Sequence, residues 1–337
     1  MSDTYSIGVD LGGTNLRIAS YDGGIDFLDS ILLPTRLAEG PERVVRDMCE
    51  GINTLRSGHN GGRRLIGIGI GSPGPMMLPE GTLRNPPNLP GWDGFKLRHA
   101  IESALGTPIA IECDANLAAL AEQKIGAGKT HSVSSLCVLT LGTGVGSGLI
   151  LRGRIWHGVT GMGGEAGHII VQDEGGAACG CGGYGCLEQY ASASAVLRMA
   201  RERIPDLSPA TAQDVALLAR SGDARAVSIF DTVGHSLAIA LTSLVNTLNL
   251  PMYLLGGGVC EAWDLFAPTM FRDLFQRSYI YRLTRPDKLA PSSLEGNKTY
   301  ILGAQLGPGA GLLGACLLPY QSKALQSGMG EELLVHQ

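Results

Sequence analysis

Two segments of the sequence share one pattern, in which a short apolar run is followed by a glycine-rich stretch and then by a second apolar run. The first segment covers residues 5–21, with its glycines in residues 10–15, and the second covers residues 136–155, with its glycines in residues 142–148. Apolar runs separated by a glycine turn predict β-hairpins. The repetition predicts two related lobes, each opening with a hairpin whose turn faces a cleft.

The remainder of the chain alternates between strand and helix patterns. The hairpin strands are predicted over residues 5–10 and 15–21 and over residues 136–141 and 149–155. Outside the hairpins, the predicted strands cover residues 65–70, 108–112 and 252–255, and the predicted helices cover residues 41–55, 92–105, 115–124 and 231–250. Alternation of this kind predicts an α/β protein.

The length of 337 residues is large for one domain and favours two. The predicted N-terminal lobe comprises residues 1–118 and about 300–325, and the predicted C-terminal lobe comprises residues 119–299. Residues 326–337 are predicted to form a disordered tail.

Charge and hydropathy narrow the range of partners. The formal net charge of -5 argues against a protein that works by neutralising the phosphates of nucleic acid or anionic lipid. The N-terminus lacks the pattern of a signal peptide, and no apolar run approaches the ~20 residues of a membrane span without interruption. We therefore expect a cytoplasmic protein with small-molecule partners.

Glycine turns at strand ends bind phosphate well, because their backbone N–H groups are not shielded by side chains. Residues 10–15 and 142–148 are two such turns, and Gly256–Gly258 follows a third predicted strand. Each also has a simpler interpretation, as a hairpin turn, a flexible loop and the closing turn of a βα unit respectively. The alternating glycines of residues 142–148 favour phosphate binding, and the three turns together predict one nucleotide site.

Asp114 lies between a predicted strand and a predicted helix, where ligands gather in open α/β sheets. By spacing alone, a helix N-cap is the simpler interpretation. Phosphoryl transfer to a hydroxyl group needs a carboxylate close to that hydroxyl and a metal ion that bridges the phosphates. Asp114 and Asp10 are candidates for these two roles.

A cluster of potential metal ligands follows the second hairpin. His168 precedes Cys179, Cys181 and Cys186, three of the eight cysteines of the chain. One imidazole and three thiolates are enough for a closed tetrahedral zinc site. A redox cysteine cluster and chance crowding are the alternatives. A structural zinc ion here would hold a loop flanked by Glu165 and Glu188, whose carboxylates suit sugar hydroxyls.

Four segments resemble, in order, the motifs of the ROK family, which contains repressors, open reading frames and sugar kinases. They are residues 10–14, 112–116, 165–168 and 179–188. The resemblance extends from the first strand to the final glycine-rich helix. It implies a two-lobed, actin-like ATPase fold of the ribonuclease-H-like type with an inter-lobe cleft. It also implies ATP-dependent phosphorylation of a hexose such as glucose, usually at the 6-hydroxyl.

The resemblance implies roles for individual residues. Asp114 would be the general base, Asp10 would lie near Mg²⁺, and His168 would use one ring nitrogen for zinc and the other for the sugar. The residues implied to bind the nucleotide are Asp10, Gly12, Gly13, Thr14, Asn15, Gly142, Thr143, Gly144, Gly257 and Gly258. The residues implied to contact the sugar are Asn88, Cys113, Asp114, Glu165, His168 and Glu188. The family also implies a homodimer or homotetramer.

One position departs from the family pattern, since the residue before the catalytic aspartate is usually asparagine and here is Cys113. A thiol forms weaker hydrogen bonds, so a contact to the sugar is lost or replaced by water. N-acetylmannosamine, N-acetylglucosamine, fructose and allose therefore stay open as alternatives to glucose.

The alternatives of another class are a non-catalytic sugar sensor and a transcriptional regulator of the same fold. The presence of both Asp10 and Asp114 disfavours the sensor, and the lack of a DNA-binding element before the first strand disfavours the regulator.

Overall fold

The computed structural model describes residues 3–58, 62–206, 209–289 and 293–326, and the chain divides into two compact units. Unit 1 comprises Met1–Ala121, Ile155–Gly163 and Pro308–Gln337, and unit 2 comprises Glu122–Arg154 and Gly164–Gly307.

Strands and helices alternate along most of the chain. The strands are β1 (Thr4–Leu11), β2 (Asn15–Tyr21), β3 (Asp29–Pro34), β4 (Arg64–Ser72), β5 (Met76–Met77), β6 (Thr82–Leu83), β7 (Ala110–Cys113), β8 (Leu136–Leu141), β9 (Val145–Leu151), β10 (Arg154–Ile155), β11 (Met252–Gly256) and β12 (Tyr300–Gly303). The helices are α1 (Pro41–Ser57), α2 (Leu97–Leu105), α3 (Asp114–Lys124), α4 (Ala127–Thr130), α5 (Glu188–Ala191), α6 (Ala193–Arg203), α7 (Ala212–Arg220), α8 (Ala224–Leu248), α9 (Trp263–Arg277), α10 (Tyr279–Thr284) and α11 (Ala310–Gln326). Short 3₁₀ turns occupy Leu37–Glu39, Ala166–His168, Gly258–Ala262 and Gly307–Gly309.

Unit 1 is built on a five-stranded sheet with the order β3-β2-β1-β4-β7. β1 pairs antiparallel with β2 and parallel with β4, which in turn pairs parallel with β7. Side chains such as Ile68 and Ile70 of β4 pack in one apolar cluster with Val44 and Met48 of α1. The carboxyl ends of β1, β4 and β7 therefore lie along one edge of the sheet.

Helix α11 packs very closely on this sheet because the strands present glycines to it. A Cβ atom on Gly8 would lie 2.5 Å from the sulfur of Cys316, and one on Gly69 would collide with the carbonyl oxygen of Ala315. The alternation of glycine and isoleucine in β4 thus gives the strand one face for α11 and one face for the apolar core.

Unit 2 repeats this topology. Its sheet has the order β10-β9-β8-β11-β12, with β8 antiparallel to β9 and parallel to β11, and β11 parallel to β12. In both units a hairpin supplies the central strand, a later strand pairs parallel with that central strand, and the next strand pairs parallel with the added one. The prediction of two related lobes from the repeated hairpin pattern is confirmed.

The long helix α8 is at the centre of unit 2. In the part of the chain that the structure describes, α8 is the one helix that is long and apolar enough to cross a membrane. However, 56% of its apolar stretch is buried inside the protein. Ile229, Phe230 and Val233 of α8 belong to one apolar cluster with Phe266 and Met270 of α9. The burial is that of a core helix.

Several predicted boundaries differ from the structure. The return strand of the second hairpin begins at Val145 and not near Leu149, because Gly146 and Gly148 pair with β8 as ordinary strand residues. The turn is thus limited to three residues. Helix α8 begins at Ala224, because the side chain of Asp223 accepts hydrogen bonds from the first-turn amides and caps it.

The division into units also differs from the predicted lobes. The sequence predicts that residues from about 300 onwards belong to the N-terminal lobe. In the structure, β12 pairs with β11 and lies in unit 2. Residues 155–163 belong to unit 1, a return of the chain that no local pattern indicated. Apart from Gln326, which ends α11, the predicted disordered tail lies outside the described residues.

Candidate active site

In unit 1, the turn between β1 and β2 is short and held from both sides. The Gly12 amide donates to the carbonyl oxygen of Asn15 at 2.9 Å, and the Thr35 hydroxyl donates to the carbonyl oxygen of Gly12 at 2.7 Å. Gly13, Thr14 and Asn15 are exposed. The tip of the turn is therefore open to solvent, which the predicted phosphate-binding role requires.

Asp10 and Asp114 lie on the same edge of the unit 1 sheet. Asp10 pairs with Gly71 of β4, and Ser72 of β4 pairs with Cys113, the residue before Asp114. Burial raises the pKa of Asp10, and Arg17, its partner across the hairpin, opposes this. The two candidate carboxylates thus come from parallel strands separated by one strand.

Asp114 is the first residue of α3. Its Oδ1 accepts a hydrogen bond from the amide of Ala115 at 2.7 Å. Asp114 is thus anchored where β7 ends and α3 begins.

The loop before α2 approaches the same region of unit 1. The carbonyl oxygen of Asn88 would lie 3.5 Å from a Cβ atom on Gly13, so this exposed residue borders the first turn.

Cys113 is buried, and its sulfur faces Gly74, where a Cβ atom would lie 3.0 Å away. The thiol therefore occupies space that a larger residue at position 74 would fill.

Sequence reasoning missed a buried network beside Asp114. Glu112 is 2% exposed, and its Oε1 accepts from the Cys113 amide at 2.8 Å and from Nδ2 of Asn116 at 3.0 Å. Its Oε2 lies 2.5 Å from Nε2 of His157. The hydrogen bond to Glu112 raises the pKa of His157, although burial opposes it. Glu112 thus holds the residues on both sides of Asp114.

In unit 2, residues 142–144 form the second turn. The Gly142 amide donates to the carbonyl oxygen of Gly144 at 2.9 Å, and Thr143 is exposed at the tip. Gly257 lies beside it, because a Cβ atom there would be 2.5 Å from the carbonyl oxygen of Leu141. Gly257 also has a φ of 90°, which favours glycine, whereas Gly258 has open space around its Cβ position. Two of the three predicted nucleotide turns are therefore adjacent.

Glu165 directly precedes the 3₁₀ turn Ala166–His168, and His168 is its last residue. The turn packs on β9. The Ala166 amide donates to the hydroxyl of Ser147 at 2.8 Å, and a Cβ atom on Gly167 would collide with the carbonyl oxygen of Val145. Loss of hydration raises the pKa of Glu165; His168 opposes this effect and Glu188 adds to it.

The four predicted zinc ligands, His168, Cys179, Cys181 and Cys186, come together with their ligand atoms all within 4.8 Å of one another. Nδ1 of His168 lies 3.7 Å from Sγ of Cys179, and the sulfurs of Cys181 and Cys186 are also 3.7 Å apart. Zn–S bonds of ~2.3 Å at tetrahedral angles place two sulfurs about 3.8 Å apart. Burial raises the pKa of the Cys186 thiol to about 12, so a thiolate there requires a nearby cation. The residues fit a zinc ion.

The candidate residues therefore form two groups. Asp10, Gly12, Gly13, Thr14, Asn15, Asn88, Cys113 and Asp114 lie in unit 1, and Gly142, Thr143, Gly144, Glu165, His168, Cys179, Cys181, Cys186, Glu188, Gly257 and Gly258 lie in unit 2.

Comparison with known proteins identifies the family. The ROK family model matches residues 6–321. The chain belongs to the ROK family. It is 35% identical to a glucokinase from Halalkalibacterium halodurans, over 97% of this chain and 99% of that protein.

Solved structures agree with this assignment. A ROK hexokinase from Thermus thermophilus has a TM-score of 0.77 and 33% identity, covering 96% of this chain and all of its own. A ROK family glucokinase from Streptomyces griseus, in complex with glucose and AMPPNP, has a TM-score of 0.73 and 30% identity, covering 94% of this chain and 99% of its own. The prediction of a two-lobed, actin-like ATPase fold is confirmed.

Proposed function

We propose that this ROK protein is a glucokinase, which transfers the γ-phosphoryl group of ATP to the 6-hydroxyl of glucose. The observation that carries the proposal is the near full-length similarity to a glucokinase at 35% identity. The location of Asp114, at the carboxyl end of β7 and on the same sheet edge as Asp10, is consistent with that chemistry.

In the proposed step, Asp114 acts as general base. Its carboxylate accepts the proton of the 6-hydroxyl while that oxygen bonds to the γ-phosphorus and the bond to the bridging oxygen of ADP breaks. The electron pair of the broken bond leaves on ADP, and Asp114 later returns its proton to solvent. Glu112 keeps the start of α3 in place through its bonds to Cys113 and Asn116.

The glycine turns and Asp10 are proposed to bind the nucleotide. Gly12 and Gly142, whose own amides close the two turns, would line the phosphates, and the backbone amides of residues 13–14 and 143–144 would bind phosphate oxygens. Gly257 and Gly258 would approach the adenosine. Asp10 is proposed to lie near Mg²⁺, which would neutralise charge on the phosphates. His168 and the three cysteines would hold a structural zinc ion that orders the loop before Glu188.

Glucose is proposed as the acceptor, with Asn88, Glu165, His168 and Glu188 as its contacts. Cys113 provides a thiol where an amide is usual in the family, so we expect one sugar contact to be weak or mediated by water. That loss affects the choice among hexoses more than the phosphoryl transfer. The alternatives are therefore the acetamido sugars, fructose and allose.

A coupled assay of ADP release with ATP and Mg²⁺ tests the proposal against glucose, mannose, fructose, allose, N-acetylglucosamine and N-acetylmannosamine. We expect glucose to give the highest kcat/KM. A higher value for an acetamido sugar or fructose would reassign the substrate. Sugar binding without ADP release from any member of the panel would instead favour the sensor.

We further propose that the protein is a cytoplasmic homodimer or homotetramer with no nucleic acid partner. The family resemblance supports the oligomer, and the net charge of -5 disfavours nucleic acid. Light scattering distinguishes these states from the 35.3 kDa monomer.

A further inference from the structure

Glu188 contacts two binding elements of unit 2 that are far apart in the sequence. It begins α5, directly after the segment that contains Cys179 and Cys186. Its Oε2 accepts a hydrogen bond from the backbone amide of Val145 at 3.0 Å, and Val145 is the first residue after the glycine turn. Its Oε1 lies 4.0 Å from Sγ of Cys179, on the side of the candidate zinc site. One carboxylate therefore touches both the turn and the cysteine cluster.

The Glu188 carboxylate lies so close to the turn that position 144 must be glycine. A Cβ atom on Gly144 would collide with Oε2 of Glu188 and lie 3.2 Å from its carboxyl carbon. Only glycine leaves room for the carboxylate at this position. Gly144, predicted as a phosphate ligand, is thus also needed for the packing of Glu188.

The same segment holds the other end of the turn. The amide of Ala193, the first residue of α6, donates to the carbonyl oxygen of Gly142 at 2.8 Å. The turn is therefore fixed at its start by Ala193 and at its end by Glu188. A change in the position of the Glu188 carboxylate would therefore alter the hydrogen bond to the Val145 amide, which fixes the end of the turn.

We propose that Glu188 is a positioning residue that couples sugar binding to the phosphate-binding turn. A sugar hydroxyl donates to Oε1 and fixes the carboxylate, and Oε2 then fixes the Val145 amide and the turn. This deepens the proposed function and rests on it. Coupling between two ligands is reciprocal, so a bound nucleotide also tightens the binding of the sugar.

Glu165 offers a matched control. It is a second carboxylate predicted to contact the sugar in the same unit, but the Val145 amide is bonded to Glu188. Glu165→Gln therefore weakens a predicted sugar contact and leaves the link to the turn in place. Glu188→Gln retains the size of the side chain, but its amide cannot accept from Val145 and from a sugar hydroxyl with two separate oxygens.

The test measures the affinity for a non-hydrolysable ATP analogue by calorimetry, without glucose and with saturating glucose. We expect glucose to tighten nucleotide binding at least about fivefold in the wild type, the lower end of common coupling. The factor should fall to within about twofold of unity in Glu188→Gln and stay at the wild-type value in Glu165→Gln. Equal coupling in Glu188→Gln and the wild type, equal loss in both variants, or no coupling in the wild type would overturn the proposal.

Hydrogen exchange provides a readout that needs no nucleotide. Glucose alone should slow exchange of the peptide that contains Val145 in the wild type and in Glu165→Gln, but not in Glu188→Gln. Slowing in Glu188→Gln would overturn the proposal even if that variant binds nucleotide poorly. A wild type that phosphorylates glucose without coupling refutes only the role of Glu188, whereas a wild type that does not bind or phosphorylate glucose refutes the proposed function itself.

Discussion

Asp114 owes its position to two local features, a strand that ends at Cys113 and a helix that begins at once. Its Oδ1 accepts a hydrogen bond from the adjacent Ala115 amide, and Glu112 accepts hydrogen bonds from Cys113 and Asn116 on either side of it. The backbone of Asp114 is thus held at the sheet edge by bonds from Glu112 to Cys113 and Asn116, which do not involve the Asp114 side chain. Its removal should affect the chemistry far more than the fold.

We predict that Asp114→Asn lowers kcat for glucose by roughly 10²–10⁴-fold, because a general base commonly contributes that much. The affinity for glucose should change little, since the amide keeps the shape and one acceptor oxygen. Asp29→Asn, an exposed aspartate of β3, is the matched control in the same unit and should keep wild-type turnover. Turnover of Asp114→Asn close to that of Asp29→Asn would remove Asp114 from the proposed mechanism.

The sequence indicates which residues belong to the candidate site, but it does not indicate which other residues they form hydrogen bonds with. Gly12 and Gly13 stand between two apolar runs, so their turn follows from local pattern. The bond between Glu112 and His157 joins residues separated by 45 positions, and that between Val145 and Glu188 joins residues separated by 43. Such contacts depend on tertiary packing, which leaves no periodic signal in the sequence.

At the scale of elements, the loop of residues 168–186 has few apolar side chains to order it. A narrow hairpin in which the Cys179 amide donates to the carbonyl oxygen of Gly183 at 2.8 Å brings the sulfurs together. Among the four ligands, Cys181 is exposed, whereas Cys179 and Cys186 are buried. A change at Cys181 thus tests the metal with little loss of packing.

We predict that Cys181→Ser loses bound zinc and is destabilised by on the order of 3 kcal/mol, because loss of a metal site is among the large single-residue effects. The KM for glucose should rise, since the loop leads directly to Glu188. Metal analysis and urea unfolding provide the measurements. Cys260→Ser, outside the cluster, is the control that should keep its zinc. A Cys181→Ser variant with normal zinc content and glucose KM would contradict the assignment.

Elements themselves were predicted with uneven success. β2 and β8 have the bounds that the pattern indicated, and α3 differs only in beginning at Asp114, one residue early. Each is a single apolar run between clear turn or charge signals. The helix predicted from residue 92 begins only at Leu97, since Trp92 and Phe95 form turns and stack edge to face with centroids 5.3 Å apart. The contact between the two aromatic rings therefore packs residues 92–95 as a loop in front of the helix.

At the scale of the whole molecule, the composition of each unit depends on chain crossings that local patterns do not show. Unit 2 begins at Glu122 and ends at Gly307, with residues 155–163 left out. Glu122 is 1% exposed, and its Oε1 accepts from the amides of Gln305 and Leu306, each at 2.8 Å. One carboxylate therefore ties the first and last residues of unit 2 together.

A second set of contacts makes this carboxylate hard to replace. Oε2 of Glu122 accepts from the amide of Ala127 at 3.0 Å, and a Cβ atom on Gly126 would collide with the same oxygen. Glu122 thus satisfies three backbone amides from two distant parts of the chain. A buried amide without an acceptor costs about 1–3 kcal/mol.

We predict that Glu122→Ala lowers the free energy of unfolding by roughly 2–3 kcal/mol, because it leaves the buried amide of Ala127 without its acceptor and breaks the part-buried bonds to Gln305 and Leu306. Glu122→Gln should lose less, since it keeps one acceptor oxygen and fills the same space. The control is Glu202→Ala, which removes an exposed ion pair with Arg198 and should cost no more than about 0.5 kcal/mol. The urea midpoints of unfolding, monitored by circular dichroism, should therefore be highest for Glu202→Ala, lower for Glu122→Gln and lowest for Glu122→Ala. If the two Glu122 variants unfold at the midpoint of Glu202→Ala, the ends of unit 2 are held together by apolar packing and not by this carboxylate.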